Sequence, residues 1–168
     1  MKIRDNGYNF AVFSCLVVIS YLIAVLSIQL VAPDVKISPE EFPVSCPKDS
    51  NNCSMIASNS HRANNLTELR FDSELSIVMH EVNKWIESKP RSKIIGDWDN
   101  HTHAVFHTPI LRFPDDFVIS GSCDNGETVI LVYSKSRLGI SDLGLNPERV
   151  SDFSRHMSNI EMPTSYCS

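Results

Sequence analysis

The sequence predicts an α+β fold, a mainly antiparallel four-stranded sheet flanked by two helices and preceded by one N-terminal transmembrane helix. An unbroken apolar run occupies 10–32. Four stretches rich in β-branched and aromatic residues follow one another between 94 and 134, separated by Asp, Asn, Gly and Pro. Two segments, one on each side of those stretches, repeat apolar residues at steps of three and four. Helix, four strands, helix is the order expected of an antiparallel sheet with helices packed on one face.

The run from Phe10 to Ala32 contains no charged residue and only Ser14, Ser20, Ser27 and Gln29 as clearly polar side chains. As a helix rising about 1.5 Å per residue it exceeds a hydrocarbon core of roughly 30 Å. The competing reading is a cleaved signal peptide, whose apolar region is usually about 7–15 residues long and so shorter than this run. Lys2 and Arg4 precede the run, whereas Asp34, Glu40 and Glu41 outnumber Lys36 after it. That bias keeps the N-terminus in the cytoplasm and exports the remainder, and both readings deliver the C-terminal part to the non-cytoplasmic side. The expected organisation is a cytoplasmic N-terminus (1–9), a signal anchor (10–32), a linker and irregular lead-in (33–70), an α+β domain (71–160) and a C-terminal tail (161–168).

Residues 33–168 carry 13 of the 15 Lys and Arg and 19 of the 20 Asp and Glu. An acidic domain without a clustered basic face cannot neutralise a run of phosphates, so no nucleic-acid partner is expected. Cys15 lies in the apolar run, where a thiol behaves as a small hydrophobe. Cys46, Cys53, Cys123 and Cys167 allow three disulfide connectivities in an oxidising compartment. Cys46 with Cys53 and Cys123 with Cys167 is favoured, because the first pair is close in sequence; four reduced thiols are the alternative. No second cysteine pair sits two to four residues apart, as a zinc site would require. Asn52-Cys53-Ser54, Asn65-Leu66-Thr67 and Asn100-His101-Thr102 fit the N-glycosylation acceptor pattern.

From Pro33 to about Arg70 the chain is rich in Pro, Ser and Asn with no sustained period. Leu75, Val78, Met79, Val82, Trp85 and Ile86 then form one helical stripe, with Asp72 or Ser73 to cap it and Pro90 to stop it. The four strands are expected at 94–98, 102–113, 117–122 and 128–134. Between the last two, Asp124-Asn125-Gly126 signals a tight hairpin, since Asn-Gly tolerates positive φ. Asn146 and Pro147 read as the cap and first residue of the closing helix, whose stripe is Val150, Phe153, Met157 and Ile160.

The connection from 134 to 150, SKSRLGISDLGLNPERV, is too polar and too patterned for a plain linker. Together with Cys46-Pro47, Asn52-Cys53 and the upstream Phe113, Asp115 and Asp116, its Ser134, Ser136, Arg137, Gly139, Ser141, Asp142, Leu143, Gly144 and Asn146 resemble the family catalogued as domain of unknown function 1499. The resemblance spans roughly Cys46 to Met157. Tyr133 stands where that family usually has Arg, and Pro147 where a basic residue is common. The resemblance implies a short exported or membrane-anchored protein. It implies no activity, catalytic residue or cofactor.

Three readings of the loop compete. In the first it is architectural: Arg137 pairs with Asp142 or with Asp115 and Asp116, and the glycines supply special backbone conformations. In the second, Arg137 and Arg149, with Ser136, Asp142 and the amino end of the last helix, bind an anion such as a carboxylate or phosphate. In the third, Asp115 and Asp116 act as an acid and base pair, which neighbouring strand residues on opposite faces can hardly do. Separately, His101, His103 and His107 fall on one face of a strand, with Asp97 and Asp99 nearby, as a zinc or copper site or simply a solvated face. No Gly-x-Ser-x-Gly signature of a serine nucleophile is present, nor a Gly-rich phosphate loop, and no cofactor is expected. The function expected is therefore a non-catalytic binding or structural accessory module, anchored through 10–32. Its rival is an envelope or lumenal enzyme, or an anion-binding protein, using the 134–149 loop. A further alternative is an apolar-ligand carrier with a cavity lined by Trp85, Phe106, Phe117 and Phe153. The sequence identifies no protein partner.

Overall fold

The computed structural model describes residues 2–48, 50–57, 66–139 and 141–168. The elements are α1 (Lys2–Val31), β1 (Cys53–Ile56), β2 (Leu69–Phe71), α2 (Leu75–Ser88), β3 (Ser92–Trp98), β4 (His101–His107), β5 (Pro114–Asp124), β6 (Glu127–Ser136) and α3 (Leu145–Asn159), with a 3-10 turn at Pro39–Glu41. Over Gly7–Val31, α1 is long and apolar enough to cross a membrane, and its most apolar stretch is not buried against the rest of the protein.

Among the described residues the sheet has six strands, not the four expected. Their order is β1-β6-β5-β4-β3, with β2 also paired to β6, and every pairing is antiparallel. The two additional strands come from the stretch read as irregular lead-in. β1 pairs with 132–135 of β6 and β2 with 128–130, so they lie end to end along one edge. Neither announces itself by periodicity: all four residues of β1 are buried, which removes the alternation, and β2 is only three residues long.

The strand expected to reach Phe113 stops at His107. Pro109 has no N–H for a ladder, and the chain closes on itself instead. The Thr108 N–H donates to the Phe113 carbonyl at 3.0 Å and the Phe113 N–H to the Thr108 hydroxyl at 3.0 Å. The hairpin between β5 and β6 forms where expected, with φ of 53° at Asn125 and 88° at Gly126, the positive pair that a type I′ turn needs. It sets a register running from Asp124 opposite Glu127 to Asp115 opposite Ser136.

α2 buries Val78, Met79, Val82, Trp85 and Ile86. Its N-cap is Glu74, not Asp72 or Ser73. Ser73 is drawn against the sheet, where its carbonyl accepts the Thr128 hydroxyl at 2.6 Å. α3 begins at Leu145 with Gly144 as its cap, so Asn146 lies inside the helix and its side chain is free for other work. Both helices cover one sheet face, and Trp85 sits within 5.0–6.1 Å of the rings of Phe106, Phe117 and Phe153. The four aromatics named for a carrier cavity thus pack on one another.

The other sheet face buries Cys53, Met55, Val118 and Tyr133 under Ile37, Phe42 and Cys46 of the segment that follows α1. Cys46 is disulfide-bonded to Cys53 and Cys123 to Cys167, with Cα separations of 5.8 and 5.4 Å. The first bond ties the covering segment to β1, and the second ties the C-terminal tail to the end of β5. Cys15 is free.

Candidate functional site

Asp115 and Asp116 are consecutive on β5, so their carboxylates leave the sheet on opposite faces. Each gathers a separate network. On the helix face Asp115 is fully buried and accepts the Ser136 hydroxyl at 2.5 Å and Arg149 Nη2 at 2.8 Å. Arg149 Nη1 also donates to Ser134 Oγ at 3.0 Å and to Asn146 Oδ1 at 2.5 Å. Asn146 Nδ2 in turn donates to the Asn52 carbonyl at 3.0 Å and to Ser136 Oγ at 3.1 Å. Asn52, itself buried, donates through Nδ2 to the Gly139 carbonyl at 2.8 Å. Strand β6, the β1 entrance and the first turn of α3 are therefore stitched through one polar knot.

On the outer face Asp116 accepts Arg137 Nε at 3.0 Å and Nη2 at 2.8 Å, the forked arrangement that guanidinium geometry favours. His103 Nδ1 accepts the Ile37 N–H at 2.9 Å. That bond assigns the ring proton to Nε2, which donates to Asp116 Oδ1 at 2.7 Å. Arg137 uses its remaining donors on the carbonyls of Pro33 and Val35, both at 3.0 Å. Arg137, Asp116 and His103 thus grip the backbone of 33–37, the first residues beyond α1.

Asp142 is paired with neither arginine. Its carboxylate accepts the N–H groups of Gly144 at 3.0 Å and Asn146 at 2.7 Å, and its carbonyl accepts that of Leu145 at 3.2 Å. Pro147 has no N–H to offer, so the first-turn donors of α3 that an external anion would use are engaged within the chain. Beside this turn lies a groove of about 850 Å³ lined by Trp85, Lys89, Arg91, Arg149, Asp152 and Arg155 among others. Its cations are also engaged. Lys89 and Arg155 both bond to Asp152, at 2.6 and 2.5 Å, holding its carboxyl below the usual range, the Lys89 bond most strongly. Arg91 Nε donates to the His107 carbonyl at 3.3 Å.

The imidazoles take separate roles. His101 and His103 are fully buried on the outer face, and His101 Nε2 donates to the Ile37 carbonyl at 3.1 Å. His107 lies at the far end of the strand, next to Pro114 of β5. Asp97 is opposite Thr102, on the helix face, where it accepts Asn83 Nδ2 at 3.0 Å. Among the described residues no group of three or more His, Cys, Asp or Glu is arranged to hold a metal ion. The Asn100 acceptor pattern lies in the turn between β3 and β4, whereas Asn52 is committed to the buried knot. Asn65 lies outside the described residues.

Burial pushes the His101 ring below its ordinary value, with the Ile37 carbonyl opposing and His103 adding to the shift. Burial pushes His107 in the same direction. Both rings are thus more easily protonated in the unfolded chain. The stability they contribute is complete above about pH 6.5 and is lost as pH falls toward their folded-state values. Unfolding midpoints should therefore drop as pH is lowered below about 6.5, and by less in His101→Gln. An equal drop in wild type and variant would remove His101 from the account. Tyr133 shifts the opposite way, to about 12, because burial and then the Asp116 charge disfavour the phenolate.

The sequence alone named Asp115, Asp116, Ser136, Arg137, Asp142 and Arg149, and the structure divides them among two ionic networks and one helix cap. Sequence reasoning did not foresee Asn52 and Asn146 as network members, although Asn146 stands in the patterned 134–150 segment and Asn52 beside Cys53 in the family motif. No curated protein matches the chain. The model of a family of proteins of unknown function, DUF1499, matches residues 44–157, which hold the Asp115–Arg149 and Asp116–Arg137 pairs, α2 and all but the last two residues of α3. The chain therefore belongs to the DUF1499 family.

Proposed function

We propose that this is a single-pass membrane-anchored protein whose exported domain acts as a non-catalytic binding or structural accessory module, with the 134–149 loop as scaffold. The observation that carries the reading is the mutual saturation of the loop's charges. Arg137 with Asp116, and Arg149 with Asp115, have side chains between 0 and 12% exposed. Charges so covered and paired hold a loop in place more readily than they receive a ligand. Export is supported by the charge bias around α1 and by two disulfides, which suit an oxidising compartment. The opposed directions of Asp115 and Asp116 count against a shared acid and base role. In this reading Arg137 couples the domain to its anchor through the Pro33 and Val35 carbonyls.

The rival anion-binding reading makes a different prediction for thermal unfolding of the full chain in detergent micelles. Titration with inorganic phosphate or acetate should shift Tm no more than chloride at the same ionic strength. A saturable rise in Tm that disappears in Arg149→Leu would establish an anion site and overturn the scaffold assignment.

A further inference from the structure

We infer that the β4–β5 loop and the loop entering α3 form a second membrane contact beside α1, where the pocket between them takes the acyl chain of a bilayer lipid. The inference rests on α1 spanning the membrane.

The pocket has a volume of about 370 Å³ and is lined chiefly by Pro109, Ile110, Leu111, Leu138, Leu143 and Leu145, a size and character typical of sites for apolar ligands. Its rim turns outward: Ile110 is 72% and Leu143 95% exposed. Leu143 also has φ of 57°, a conformation that a branched apolar residue adopts only under constraint. In water this rim is a cost to an otherwise acidic domain.

The position of the rim relative to α1 explains it. Tyr21 Oη donates to the Ile110 carbonyl at 2.9 Å, and Gln29 Nε2 donates to the Arg112 carbonyl at 2.6 Å. Tyr21 precedes the end of α1 by ten residues, or about 15 Å along the axis. Ile110, two residues before Arg112, reaches no more than about 7 Å from the level of Gln29, on the side of Tyr21, so the loop lies just below the level at which a spanning α1 leaves the hydrocarbon. Irregular backbone there must have its polar groups satisfied within the protein. Tyr21 and Gln29, two polar side chains in an apolar helix, supply donors to loop carbonyls at that place. Arg112, level with Gln29, then stands where phosphate headgroups would meet it.

The test uses the full chain in phosphatidylcholine vesicles whose acyl chains carry bromine, a short-range quencher of tryptophan. Ile110→Trp and Leu143→Trp report from the two sides of the pocket, and Leu26→Trp reports on α1. Emission is read as the difference from wild type, which contains Trp85 and Trp98. All three reporters should lose at least half of their added emission relative to unbrominated vesicles. Quenching at 26 without quenching at 110 and 143 would overturn the second contact and leave the anchor standing. Quenching at 26 and 110 but not at 143 would overturn lipid occupancy of the pocket. Absence of quenching at all three would overturn the anchor and this inference together.

Discussion

Replacing Arg149 with Leu should destabilise the domain by roughly 3–5 kcal/mol, the cost of leaving one member of a buried ion pair alone. Asp115 has no exposed surface and among the described residues would keep only the Ser136 hydroxyl, itself shared with Asn146. The Arg149 guanidinium lies 4.7 Å from the centre of the Phe106 ring, so Leu preserves much of the apolar contact and the loss reports on charge and hydrogen bonding. Equilibrium urea unfolding of the full chain in micelles would measure it. A variant within about 0.5 kcal/mol of wild type, the range of ordinary surface substitutions, would mean that Asp115 is better solvated than its burial implies.

Arg137→Ala should cost nearly as much, roughly 2–4 kcal/mol, because Asp116 retains limited exposure and a bond to His103. Its local effect should be larger than its global one. With the Pro33 and Val35 carbonyls released, the covering segment loses its ionic clamp, and the amides of 34–42 should exchange hydrogen faster than those of β5 and β6. Arg137→Lys should recover only part of the loss, since one ammonium cannot fork onto a carboxylate and reach two further carbonyls. Unchanged exchange in 34–42 would remove the coupling of domain to anchor from the proposed role.

These networks were only partly legible in the sequence. The stripe of α2, the Asn125-Gly126 hairpin and the opposed directions of Asp115 and Asp116 follow from local rules of period and turn chemistry, and each appears as expected. β1 and β2 did not, because edge strands of four and three residues are defined by pairing with β6 and not by a pattern of their own. The cover over the outer face was equally hidden. Ile37 and Phe42 are isolated apolar residues in a polar stretch, and only the folded sheet reveals what they bury. His101, His103 and His107 read as a metal site because strand alternation gives their direction, but alternation is silent about Ile37, whose backbone occupies the rings of His101 and His103. Asn146 looked like a helix cap by spacing. Gly144 and Asp142 perform that task, and its amide joins β6 instead.

The most direct test of the scaffold assignment is a double-mutant cycle on Asp115 and Arg149, read by urea unfolding of wild type, Asp115→Leu, Arg149→Leu and the double variant. If the pair is an internal strut, the double variant loses less than the two single variants combined, with a coupling energy of roughly 2–3 kcal/mol. Single losses that simply add, or single variants as stable as wild type, would contradict the account and return the loop to the anion-binding reading.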